Sequence, residues 1–161
     1  MHGDEQETVT AELTDVVRRA ETNVARGGGP FAAVVVLSDG RRFEGANRVV
    51  ATSDPTAHAE VVAIRRACAA TGSVALGGAV VYTSCEPCPM CVAVALWARV
   101  GAVYYAADRR DAARAGFDDA AFHDYFTDPG RRGLLPVVGH RVPAATAPFR
   151  SWEDKADRSP Y

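Results

Sequence analysis

The stretch Ser84–Cys91, SCEPCPMC, carries three cysteines at a spacing of three, Cys85, Cys88 and Cys91, and no other segment constrains the fold as strongly. A strand-like run, GAVVYTS, leads into it, and a helical run, PMCVAVALWA, leads out from about Cys88 to Ala98. Cys88 and Cys91 occupy neighbouring positions in a first helical turn, where the positive end of the helix dipole favours thiolates. Pro89 fits there because first-turn amides have no intrahelical partner. A thiolate pair of this kind suits a metal ion. Four protein ligands close a zinc site, whereas three leave one position for water or substrate. The number of cysteines engaged therefore separates a structural centre from a reactive one.

The third ligand candidate lies upstream. His58-Ala59-Glu60 opens the segment TAHAEVVAIRRACAATG, in which Ala57, Val61, Ile64 and Cys68 form a helical stripe ending at Gly72. Residues two apart on a helix point about 200° apart, so His58 and Glu60 share no lateral face, yet both can approach a metal beyond the helix N-terminus. His58, Cys88 and Cys91 would hold the metal and leave Glu60 free for acid–base work. Cys85 ends a buried-looking strand and follows Ser84, whereas Pro87 directly precedes Cys88; it reads as packing behind the ligands. The alternative is a structural zinc module closed by Cys85, in which Glu60 is dispensable.

Around these motifs, Val9, Leu13, Val16, Ala20 and Val24 predict a helix over about 6–26, and FAAVVVLSDGRRFEGANRVV predicts a hairpin around Asp39-Gly40. The strand–helix alternation continues through GAVYYAA, giving a layered α/β domain with parallel pairs. LLPVVGHRV reads as a further strand and the tail from Ala147 as helical. Gly27–Gly29 lacks both the GxxxxGK pattern and a preceding strand, so it reads as a helix end.

A length of 161 residues fits one domain, and a net charge of −2 offers no general basic field for nucleic acid. Arg109-Arg110 and Arg131-Arg132 read as solvated pairs. MHGDEQETVT does not resemble a signal peptide and FAAVVVL is too short to span a bilayer, so a cytoplasmic protein without membrane contact is expected.

Together these segments form H-x-E…P-C-x-x-C, the signature of zinc-dependent nucleobase deaminases. DPTAHAE and SCEPCPMC resemble the cytidine deaminase superfamily, and GGPF, AGFDD and the tail PFRSW ending in Pro160-Tyr161 resemble its small bacterial guanine deaminases. The resemblance implies a three-layer α/β/α fold with a five-stranded mixed sheet, in a single domain over 1–161. It further implies a homodimer exchanging the tail from about 144 to 161, and one zinc per subunit on His58, Cys88 and Cys91. The substrate would be a small purine, guanine being hydrolysed to xanthine and ammonia while Glu60 moves the proton. Asp119 would touch the ring or assist proton transfer. Phe31, Asn47, Ala59, Trp97 and Tyr161 would contact the base, with Tyr161 closing the pocket from the other subunit. Guanosine or a triazine base is the nearest alternative, and tRNA adenosine deaminases share the catalytic motifs. Where many relatives have Pro-Phe-Gly, this chain has Pro30-Phe31-Ala32, so an added methyl group is expected near the pocket. His2, His123 and His140 match no motif.

Overall fold

The computed structural model describes residues 3–161; His2 lies outside the described residues. Helix α1 (Gly3–Ala25) buries Val16 and Ala20 from its apolar stripe, and Gly27 turns the chain with a left-handed φ of 85°. Strands β1 (Ala32–Val36) and β2 (Arg42–Ala46) pair antiparallel around Gly40, whose φ of 84° favours glycine. The second hairpin strand ends earlier than its sequence suggested. Val49–Thr52 instead forms a short helix, α2.

Helix α3 (Ala59–Thr71) begins after His58 and ends at Gly72, the left-handed residue expected at a helix C-terminus. Strand β3 (Val80–Cys85) leads to α4 (Pro89–Trp97), with Cys88 at its N-cap and Pro89 in its first turn. Strand β4 (Ala102–Ala107) runs parallel to β3 and passes into α5 (Arg109–Arg114), which the Asp108 carboxylate caps by accepting from Arg110 N and Asp111 N. Helix α6 (Ala120–Thr127), a 3-10 turn (Pro129–Leu134) and α7 (Ala147–Asp154) complete the chain.

The sheet order is β2-β1-β3-β4, with β1 antiparallel to both neighbours. Side chains alternate across it. Ala33, Val35 and Val81 pack with Ala59, Ala63 and Ile64 of α3 and Ala95 of α4, while Val34 and Tyr82 pack with Val16 of α1. Helices therefore cover both faces. Val34, Val35 and Val81 are buried completely or nearly so, each worth about 1.5–3 kcal/mol of transfer free energy. The start of α3 presses directly on β2: a Cβ at Gly45 would lie 2.1 Å from Ala59 O. Glycine at that position lets the helix carrying His58 and Glu60 sit against the sheet.

The five-stranded sheet expected from the sequence is corrected to four strands. LLPVVGHRV has strand-like composition, but a strand needs a partner edge, and residues 134–142 pair with none among the described residues. Val137 and Val138 stay 80% and 82% exposed, and Pro136 lacks a donor for a ladder. Among the described residues no helix is long and apolar enough to cross a membrane.

Candidate active site and metal centre

Two helix starts create the site. His58 and Cys88 both hold extended backbone at N-cap positions, so their side chains lie where α3 and α4 present unpaired amides and the positive ends of their dipoles. Cys91 follows on the first turn of α4 and is buried. His58 Nδ1 lies 3.5 Å from both Cys88 Sγ and Cys91 Sγ, and the two sulfurs are 3.6 Å apart. Tetrahedral zinc, with Zn–S of about 2.3 Å and Zn–N of about 2.0–2.1 Å, requires edges of about 3.6 Å for N···S and about 3.8 Å for S···S. The three donors fit a zinc ion.

Electrostatics favour the same ligation. Its hydrogen bond with Cys91, together with His58, holds the Cys88 thiol down to about 4 despite burial. The Cys91 thiol is pushed up, chiefly by its hydrogen bond with Cys88 and then by burial. The first proton is thus lost readily and the second is retained by like charge, a repulsion that a bound cation relieves. The partner Cys88 raises the pKa of His58, against the effect of burial.

Glu60 is buried beside this cluster. Thr83 donates to its Oε1 at 3.0 Å, and its Oε2 lies 3.4 Å from Cys91 Sγ. Burial raises its pKa, opposed by the Thr83 hydrogen bond. Such a carboxyl group is suited to carry a proton. Cys85 is not among the grouped donors: its Sγ faces Asp108 O at 3.7 Å, and burial pushes its thiol up to about 11. A fourth position is therefore left without a cysteine.

The cluster opens into a cleft of about 1160 Å³ whose lining includes Phe31, Asn47, His58, Glu60, Cys88 and Asp119. Ala59, in contrast, is fully buried among the residues packed between α3 and the sheet. Trp97 and Tyr161 contact each other, with ring centroids 6.0 Å apart, and neither lines this cleft. Ala32 is buried, shares the sheet face of Val34 towards α1, and is not among the residues that line the cleft.

Sequence reasoning missed several participants. Phe117 packs edge-on against Phe31 at 5.0 Å, and His123 Nε2 lies 3.1 Å from Asp119 Oδ2. Thr83 was detectable in principle, because its alternation with Val81 and Cys85 places a polar side chain on the buried face below α3. Phe117 gave no comparable signal, since its contact with Phe31 joins segments whose approach only the tertiary fold determines, whereas Asp119 and His123 stand four residues apart at the start of one helix, a spacing the sequence does carry.

Fold and centre define a zinc-dependent deaminase. Residues 4–107 match the cytidine and deoxycytidylate deaminase zinc-binding region, and the chain belongs to that family. Over 150 residues it is 42% identical to the guanine deaminase of Bacillus subtilis, covering 90% of this chain and 96% of the relative. The X-ray structure of guanine deaminase from Bacillus subtilis superposes with a TM-score of 0.89 at 42% identity, covering 94% of this chain and 98% of that one. A tRNA-specific adenosine deaminase of Agrobacterium fabrum is 47% identical, over 48% of this chain and 51% of its own length.

Proposed function

We propose that this protein hydrolyses guanine to xanthine and ammonia. The observation that carries the reading is the near full-length similarity to the Bacillus subtilis enzyme, which extends beyond the motif region into the segments that complete the cleft. The Agrobacterium adenosine deaminase matches only about half the chain. The chain's net charge of −2 also lacks the general basic field that favours a phosphate backbone.

His58, Cys88 and Cys91 would hold one zinc, which when bound supplies Lewis acidity that makes water acidic near neutral pH. Glu60 takes a proton from the attacking water and delivers it to the ring. Once oxygen has bonded to carbon 2, the same carboxylate takes the second proton, from the new hydroxyl group, and gives it to the amine as the exocyclic C–N bond breaks, so guanine and water become xanthine and ammonia. Thr83 holds one carboxylate oxygen while the other faces the metal cluster. Phe31 offers a flat apolar contact and Asn47 an edge hydrogen bond. Asp119, at the cleft wall and held by His123, contacts the ring or assists the proton transfer.

The reading includes a cytoplasmic homodimer of single 1–161 domains that exchange the tail from about 144 to 161. In it, Trp97 and the other copy's Tyr161 complete the base pocket, with Ala59 beneath it. Supporting this, Trp97, Phe149 and Tyr161 are each more than two-thirds exposed in one chain, an arrangement that invites a covering partner.

Zinc-loaded protein assayed for ammonia release across guanine, guanosine, adenine, cytosine and ammeline tests the substrate. Guanine should be turned over fastest; no activity on guanine would overturn the reading.

A further inference from the structure

The glycine run preceding β1 does more than end α1. Gly27, Gly28 and Gly29 all line the cleft, and Asn23 of α1 reaches across them. Asn23 Nδ2 donates to Gly29 O at 2.8 Å and to Asn47 O at 3.1 Å, joining the loop before β1 to the loop after β2. Asn47 N in turn donates to Phe31 O at 3.0 Å. A Cβ at Gly28 would lie 2.4 Å from Asn23 Nδ2, and one at Gly29 would lie 3.0 Å from Asn47 Cγ. The first glycine leaves room for the Asn23 amide and the second for the Asn47 side chain.

Helix ending alone does not require this arrangement. Gly28 N already donates to Asn23 O at 2.9 Å, whereas the Asn23 side chain extends to a carbonyl 24 residues away. Asn47 Oδ1 accepts from Val49 N at 3.4 Å, and Nδ2 has no protein acceptor among the described residues. Asn47 therefore offers a donor on the wall that also carries Phe31.

We infer that Asn23 is a positioning residue: through the space left by Gly28 and Gly29 it fixes Phe31 and Asn47 as one wall, which receives a flat base with an acceptor on its edge. The inference rests on the purine reading above and assigns that reading a specificity support outside the cleft lining.

Asn23→Asp keeps the side-chain shape, removes both donors and sets a carboxylate against two carbonyl oxygens. In zinc-loaded protein it should raise KM for guanine about tenfold, with zinc content at the parental level and kcat within about twofold. Gly28→Ala, which crowds the Asn23 amide, should shift KM in the same direction. Hydrogen–deuterium exchange of the Gly29–Phe31 and Asn47–Val50 amides, which needs no substrate, should quicken in both variants. An unchanged KM and unchanged exchange overturn the inference, as does a joint fall in kcat, zinc content and folded fraction in both variants. A parent that releases no ammonia from guanine counts instead against the functional reading, and the exchange experiment then still decides the role of Asn23.

Discussion

At the residue scale, the cluster shows how strongly one neighbour defines another's chemistry. Cys88 and Cys91 carry the same thiol three residues apart, yet their acidities move in opposite directions because one proton serves both. Glu60 is held between burial, which favours its neutral form, and Thr83, which favours the carboxylate. Thr83→Val removes the hydroxyl at nearly constant volume and leaves Glu60 Oε1 without its donor. Steady-state kinetics and metal analysis should find kcat reduced about tenfold, with KM and zinc content close to parental and Thr83→Ser restoring most of the rate. Parental kcat in Thr83→Val would remove the threonine from the account. His58, Glu60, Cys88 and Cys91 were legible because short spacings within two segments encode them. Asn23 was not, and Thr83 showed only as a polar residue on a buried strand face, because each acts on a partner more than 20 residues away.

At the element scale, helices α1, α3 and α4 follow from apolar periodicity, a closing Gly72 and a first-turn Pro89. The hairpin and the β3–α4–β4 alternation were equally readable, since each is specified by local pattern and turn residues. Composition failed where it had to stand for pairing. Residues 134–142 contain apolar side chains, but nothing in their sequence says which edge would receive them, and the sheet holds four strands. Gly45 illustrates a quieter loss of information. It reads as an unfavourable residue inside a strand, and only the approach of Ala59 O explains why a side chain is excluded there. That contact sets α3 against β2 and so places His58 and Glu60 at the cleft.

At the scale of the whole molecule, a zinc-binding frame is joined to a tail whose apolar side chains are largely uncovered within one chain. The homodimer proposed above predicts about twice the 17.1 kDa chain mass in sedimentation. Deleting Tyr161 should then lower guanine turnover without changing zinc content. A monomer with full activity would contradict the exchanged arrangement. The chemistry rests on a separate claim, that three ligands leave an open position beside a buried proton carrier, and Glu60→Gln tests it most directly. Metal analysis and ammonia release on the same preparation should find about one zinc per chain and a loss of about 10²-fold to 10⁴-fold in turnover of guanine. Zinc-loaded Glu60→Gln releasing ammonia at the parental rate would contradict the account.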